Sequence, residues 1–301
     1  MYDLVIIGGG PAGITAGIYA ARKKLHTLLI TKDFIGQAGV TGIIENWPGE
    51  GSITGPELMK KFENHLRSHD IEIKEGEEVQ SVRREGDALI VKKGDEEVRS
   101  KAVLGATGRR MRELGIPGER EFTGKGVVYC TTCDAPFFKD KKVVVAGGGN
   151  SGFEAAIELT DHADEVHVLE VASEFGADEF LKEQAKEKGV QMFTQMRVEE
   201  VRGEKFVNEI IYRDLEKDKG ESMNVDGLFV QIGSDAISEP FKGVAEVNEG
   251  GDIKVDPRSC ATGTKGMFAA GDVTDVRDKQ IVVSAGEGAK AALSVYEYLK
   301  G

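Results

Sequence analysis

Short apolar runs that stop abruptly at glycines, each followed by a helical stripe, set the hydrophobic pattern of this chain. Residues 4–7 and 143–145 are β-branched or leucine-rich runs with the length of a buried parallel strand. Each runs into a glycine cluster, Gly8-Gly9-Gly10-Pro11-Ala12-Gly13 and Gly147-Gly148-Gly149-Asn150-Ser151-Gly152, the second standing 139 positions after the first. A helix is expected after each cluster. Ile14, Ile18, Ala21 and Leu25 trace one apolar face, and Phe153, Ala156, Ile157 and Thr160 trace its counterpart. A second strand follows in both copies, at residues 27–30 and 166–169.

Further along each copy the period shortens to that of strands. Residues 79–82, 88–91 and 97–98, separated by Glu85-Gly86-Asp87 and Gly94-Asp95 turns, predict a β-meander leading into an apolar strand that ends at Ala106-Thr107-Gly108. The second copy repeats this with residues 206–212 and 223–225 and the run 227–233, which ends at Gly233. After a last apolar run at 266–272 comes a terminal helix. Its predicted stripe is Val282, Ala285, Ala289, Ala292, Leu293, Tyr296 and Leu299. The fold class is α/β, with two Rossmann-like dinucleotide-binding domains, each carrying a β-meander.

Strand, G-x-G-x-x-G, helix and strand form the dinucleotide fingerprint, because glycines allow the tight turn and let the backbone approach a pyrophosphate at the positive helix end. Two complete copies predict two dinucleotides. The copies differ where the second strand ends, at Thr31 in the first and Glu170 in the second. A carboxylate accepts from a free ribose 2′-hydroxyl and repels a 2′-phosphate, so Glu170 favours NADH over NADPH.

Composition narrows the picture. Of 301 residues, 40% are hydrophobic, enough for two packed cores, and 39 basic against 52 acidic side chains leave a net charge of −13, which disfavours nucleic acid and anionic membranes as partners. No stretch approaches the ~20 apolar residues of a membrane span. The strand at the start of the chain, without a basic leader, makes the cytoplasm the expected location.

The three cysteines are Cys130, Cys133 and Cys260. Zinc is not expected, because neither Cys260 nor the five histidines (26, 65, 69, 162 and 167) add ligand spacing to the Cys130-Thr131-Thr132-Cys133 pair. A dithiol that cycles with a disulfide is the better reading, and Asp134 beside it offers a group to carry the proton that exchange must move. Cys260 reads as a packing residue. A dithiol next to two dinucleotide sites suggests electrons passing from a nicotinamide through a flavin to a disulfide.

These motifs resemble the low-molecular-weight thioredoxin reductases and, most closely, the core of the flavoprotein subunit of alkyl hydroperoxide reductase. The residues that carry the resemblance are the first glycine cluster, Glu45-Asn46-Trp47-Pro48-Gly49, Ala106-Thr107-Gly108, Cys130 to Asp134, the second glycine cluster, and Gly271-Asp272 with Lys279-Gln280. The resemblance implies an FAD domain built from residues 1–112 and 243–301 and a nicotinamide domain at 113–242. FAD would be lined by Gly8, Gly10, Pro11, Ala12, Gly13, Gly36, Gln37, Asn46, Val79, Ala106, Thr107, Gly108, Gly271, Asp272, Lys279, Gln280 and Ile281. The nicotinamide cofactor would meet Gly147, Gly149, Asn150, Ser151, Glu170 and Gly233.

By the same resemblance Cys133 would face the flavin, Cys130 would attack the partner disulfide and Asp134 would be the acid/base. A homodimer is implied, with hinges near Arg112 and residues 240–243. Thioredoxin reductases that use NADPH usually carry an arginine run after the second strand, whereas residues 170–176 here contain none. Phe34-Ile35-Gly36-Gln37 also departs from the family's two glycines before the glutamine. The hydroperoxide reductase flavoprotein carries an extra amino-terminal redox domain. With the first flavin strand opening the chain, a separate thioredoxin-like or glutaredoxin-like protein is the expected electron acceptor. NADPH, ferredoxin or a deazaflavin as donor, and a dithiol oxidase, are the alternatives that keep the same disulfide chemistry.

Overall fold

A computed structural model of the chain describes residues 1–40 and 43–301. By packing, it divides into a unit comprising Met1–Val40, Trp47–Arg110 and Asp235–Gly301, and a second comprising Met111–Ser234 together with residues 43–46.

The first unit is built on a seven-stranded sheet. Tyr2–Ile7 lies in its middle, parallel to Thr27–Thr31 on one side and Glu96–Gly105 on the other. Its side chains alternate between two cores, Leu4 and Ile6 facing one and Val5 and Ile7 the other. That two-sided burial is why the run is apolar without alternation. Glu96–Gly105 is one continuous strand, where the sequence pattern suggested two pieces. Its first half pairs antiparallel with Ala88–Lys93 in the meander, and its second half runs parallel to both Tyr2–Ile7 and Met267–Ala269.

The second unit repeats the parallel part. From one edge to the other its five strands are Gln191–Phe193, Glu165–Leu169, Lys142–Ala146, Gly227–Val230 and Val127–Val128. The first unit has the same order, Glu72–Glu75, Thr27–Thr31, Tyr2–Ile7, Glu96–Gly105 and Met267–Ala269. The meander differs between the copies. In the second unit Met196–Gly203, Val207–Asp214 and Lys219–Asn224 form a separate three-stranded antiparallel sheet. Together these sheets and their covering helices are the two-domain Rossmann-type architecture that the glycine clusters and strand periods predicted.

The terminal helix Ile281–Lys300 corrects one expectation. Val282 and Leu293, placed on its apolar stripe by periodicity, are 44% and 39% exposed, while Ser284, Ala285, Glu287, Gly288, Ala291, Ala292 and Val295 are buried. The reason lies in its neighbour, helix Pro11–Arg22, whose Ala12, Ala16 and Ala20 share a core with Ala291, Ala292 and Val295. The two helices approach so closely that a Cβ on Gly288 would lie 2.1 Å from the carbonyl oxygen of Ala12. Small residues, not large apolar ones, define the buried face here. Among the described residues no helix is long and apolar enough to cross a membrane.

The helix contact makes a paired prediction. Gly288→Ala should lower stability by about 1–3 kcal/mol, because neither backbone can yield without shifting a helix. Gly286→Ala, two residues earlier and facing open space, should be neutral or stabilising by up to ~1 kcal/mol through helix propensity. Denaturant midpoints of the two variants check both.

Candidate active site

The two glycine loops have nearly superimposable local geometry. Gly8 and Gly147 hold φ angles of +119° and +120°, in a region that L side chains rarely adopt. A Cβ on Gly13 would stand 1.9 Å from the oxygen of Gly8, and one on Gly152 the same distance from the oxygen of Gly147. Each loop is tied to its second strand by one amide, Gly8 N–H donating to Ile30 O and Gly147 N–H to Leu169 O, both at 2.9 Å.

By contrast, Gly10 and Gly149 face open space at the amino ends of helices Pro11–Arg22 and Asn150–Leu159. Neither helix has a side-chain cap or a carboxylate in its first turn. Helix Gly55–Arg67 shows the alternative, a capping box in which Thr54 and Glu57 bond each other's backbone amides. Uncapped amides at a positive helix end, with the approach kept clear by glycine, form an anion cradle.

At the ends of the second strands the copies diverge. Thr31 is buried, and its hydroxyl donates to Asp33 O at 2.6 Å. Glu170 accepts from Gly148 N–H at 2.6 Å and from Ala172 N–H at 2.8 Å, one bond to each carboxylate oxygen. A carboxylate offers roughly four acceptor positions, so two remain for a ligand hydroxyl. The following loop is held by Asn150, which accepts from Asp178 N–H at 2.8 Å and donates to the Asp178 carboxylate at 3.2 Å. Residues 171–181 contain no arginine, lysine or histidine, but do contain Glu174, Asp178 and Glu179. Ser151 and Asn150 are exposed at the helix start.

Cys130 and Cys133 are joined by a disulfide. Cys130 is the N-cap of the short helix Thr131–Asp134, and Asp134 N–H donates to Cys130 O at 3.2 Å. Asp134 is buried, and desolvation raises its carboxyl from the ordinary 3.8 to about 7. A buried acid that titrates at neutrality, in the turn that holds a disulfide, is matched to moving a proton as sulfurs change partners.

In the first unit Ala106, Thr107 and Gly108 follow the central strand, and Gly8 packs on this segment, since a Cβ there would meet Ala106 O at 2.2 Å. The Thr107 hydroxyl donates to Ile237 O at 2.7 Å. Asp272, after Gly271, accepts from Ser284 Oγ at 2.8 Å, and burial raises its carboxyl. Lys279 Nζ donates to Asp272 O at 3.3 Å, and burial lowers its pKa despite the opposing charge of Asp252. Gln280 is the N-cap of helix Ile281–Lys300, and its side chain does not bond that helix's amides. The structure therefore brings Gly8, Pro11, Ala12, Gly13, Ala106, Thr107, Gly271, Asp272, Lys279, Gln280 and Ile281 into one unit.

The remaining sequence-derived flavin positions in this unit are Gly10, Gly36, Gln37, Val79 and Gly108. Val79 is buried in the sheet core, and Gly36 begins helix Gly36–Val40, with Gln37 next to it. Asn46 is exposed and packs with the second unit. Gly233, at φ +91°, accepts from Arg112 N–H at 3.1 Å. Cys260 is buried, and burial pushes its thiol up to about 11. No group of three or more His, Cys, Asp or Glu among the described residues is placed to hold a metal ion.

Glu119 and Glu287 are among the buried carboxylates not anticipated from the sequence. Glu119, 1% exposed, accepts from the amides of Leu114 and Gly115 at 2.8 and 2.7 Å and from the Tyr129 hydroxyl at 2.9 Å. Burial, with that bond to Glu119, pushes the Tyr129 phenol upward. Glu287 accepts from Gly271 N–H at 2.9 Å. Their signals are faint: a glutamate closing the turn-rich run Leu114-Gly115-Ile116-Pro117-Gly118, and another set between two helical glycines, Gly286 and Gly288.

The family pattern described as pyridine nucleotide-disulphide oxidoreductase matches residues 2–288. This chain belongs to that family. Among solved oxidoreductases, it is similar to the thioredoxin reductase of Streptococcus pyogenes MGAS5005, with 35% identity, a TM-score of 0.95 and coverage of 100% of this chain and 98% of the other. Thioredoxin reductase from Giardia duodenalis gives 32% identity and a TM-score of 0.93, over 100% and 99% of the two chains. The F subunit of alkyl hydroperoxide reductase from Staphylococcus epidermidis (strain ATCC 35984) is 39% identical over 300 residues, 99% of this chain but 59% of the relative. The NADH dehydrogenase of Bacillus subtilis (strain 168) is also 39% identical, over 299 residues and 58% of its length. The chain thus spans less than two thirds of these curated relatives.

The Asp134 environment in this family member is testable by titration. The folded-state value of about 7 lies above the ordinary 3.8, so its contribution to stability is present at low pH and is lost as pH rises toward 7. Asp134→Asn should therefore stabilise the oxidised protein relative to wild type above neutrality, with the gain vanishing near pH 4 on the linkage argument. Chemical denaturation at pH 4, 6 and 8 measures the trend, and carboxyl-carbon NMR should lose one resonance that titrates near 7.

Proposed function

We propose that this protein is a flavoprotein disulfide reductase, with FAD in the first unit, NADH in the second, and electrons delivered through Cys130 and Cys133 to a thioredoxin-like or glutaredoxin-like protein disulfide. The observation that carries the reading is the disulfide of Cys130 and Cys133, beside a desolvated Asp134, in the same packed unit as the glycine cradle of Gly147 to Gly152. The first cradle fits FAD: its helix end is uncapped, Gly10 leaves the approach open, and Asp272 and Thr107 lie in the same unit. The second cradle fits NADH, because Glu170 retains acceptor capacity for a ribose hydroxyl and the loop after it carries acidic, not basic, side chains.

Bound FAD would supply a two-electron carrier between a hydride donor and a disulfide. The side chains then perform thiol exchange. In the reduced pair the Cys130 thiolate attacks one sulfur of the partner disulfide, forming a mixed disulfide and releasing the partner's other sulfur as thiolate. Asp134, protonated by the Cys130 thiol, supplies that proton to the leaving sulfur and, now a carboxylate, takes the proton of Cys133. The Cys133 thiolate attacks Cys130 Sγ, re-forming the intramolecular disulfide, and the second proton passes from Asp134 to the partner's remaining sulfur, freeing the partner as a dithiol. Two electrons and two protons have then passed from the pair to the partner.

The thioredoxin reductases among the similar structures support the choice of acceptor. We propose a homodimer in a reducing compartment such as the cytoplasm, the former read by light scattering of the purified protein.

Anaerobic bleaching of the flavin decides the donor. NADH should reduce it faster than NADPH at equal concentration, and a preference for NADPH would overturn the Glu170 argument. Glu170→Ala should raise the KM for NADH about tenfold or more, the cost of losing a charge-assisted hydrogen bond. Cys130→Ser should retain flavin reduction by NADH while abolishing turnover of the protein disulfide.

A further inference from the structure

Gln231 follows strand Gly227–Val230 and belongs to neither cradle nor redox pair, yet it touches both. Its backbone closes on the glycine loop, where a Cβ on Gly147 would lie 2.3 Å from Gln231 O, and its own amide donates to Ala146 O at 2.8 Å. Its side chain turns to the cysteine segment. Nε2 donates to Tyr129 O at 3.1 Å and to the Thr131 hydroxyl at 3.4 Å, the residues on either side of Cys130. Tyr129 is held a second time through its ring, by buried Glu119.

We propose that Gln231 is a positioning residue that sets the reduction potential of the Cys130–Cys133 couple. The proposal rests on the disulfide-reductase reading of this pair. A side-chain amide bonded on both sides of Cys130 restrains that backbone whichever state the sulfurs are in. In the disulfide the S–S bond already restrains it. In the dithiol the Gln231 amide helps the turn to hold Cys130 near Cys133, so it raises their effective concentration and favours ring closure. Reduction adds two electrons and two protons and breaks the S–S bond. Without the amide the dithiol gains freedom that the disulfide cannot use, so the equilibrium moves toward dithiol and the couple becomes easier to reduce.

The test is a glutathione redox titration of the purified holoprotein, with the thiols of Cys130 and Cys133 counted by alkylation and mass spectrometry. Gln231→Leu should shift the dithiol/disulfide equilibrium three- to tenfold toward dithiol, about 15–30 mV more positive. Thr131→Val, which removes one of the two acceptors, should shift it in the same direction by less, and it serves if the leucine variant does not fold. Asp214→Ala is the structural control. Its buried carboxylate caps a distant turn through the amides of Glu216 and Lys217, both at 3.0 Å. It should lower stability and leave the potential unchanged.

An unchanged potential in both Gln231→Leu and Thr131→Val, or an equal shift in Asp214→Ala, overturns the proposal. Glutathione reaches the pair without any nicotinamide. Failure of NADH to bleach the flavin would therefore count against the functional reading alone.

Discussion

Contact of backbone on backbone at the two glycine loops is the constraint on which the rest of this molecule depends. Gly13 crosses Gly8, and Gly152 crosses Gly147, at distances that leave no room for any side-chain carbon. The crossing sets the angle at which each helix leaves its strand, and so aims an uncapped helix end at the open space beside Gly10 or Gly149. Ile30 and Leu169 then hold each loop from the neighbouring strand through a single amide bond. Sheet order, helix packing and both cradles follow from the same local geometry used twice.

On that shared frame the two units separate by small substitutions at equivalent places. Thr31 turns inward and commits its hydroxyl to the chain's own carbonyl, whereas Glu170 braces its loop through Gly148 N–H and keeps oxygen capacity free. The terminal helix completes only the first unit, reaching helix Pro11–Arg22 at Gly288 and bracing Gly271 through Glu287. In the second unit the corresponding edge strand, Val127–Val128, leads directly to Cys130. One copy is thereby closed by a helix and the other opens onto a disulfide.

Burial does opposite work at different acids. Glu119 and Glu287 are buried but supplied with amide donors, which makes them braces. Asp134 is buried with desolvation as the cause of its raised pKa, and that exchanges some stability at neutral pH for a proton available there. The difference separates carboxylates that brace the chain from one left desolvated more clearly than exposure does.

What the sequence by itself determined is what short-range sterics and local chemistry control. Duplicated glycine clusters, apolar strands, the cysteine spacing and its neighbouring aspartate are each written in a few consecutive residues, and the fold class follows from their order. What only the tertiary structure decided is every property that needs a distant segment. The buried face of Ile281–Lys300 is made of Ser284, Glu287 and Gly288 because another helix lies against it, and a hydrophobic stripe drawn through Val282 and Leu293 cannot contain that information. Glu96–Gly105 is one strand because its two halves have different partners, one from the meander and one from the parallel sheet. Glu119 and Gln231 show the same limit. A polar side chain becomes a brace only when folding brings donors or acceptors to it from elsewhere in the chain, and no local pattern records where those will come from.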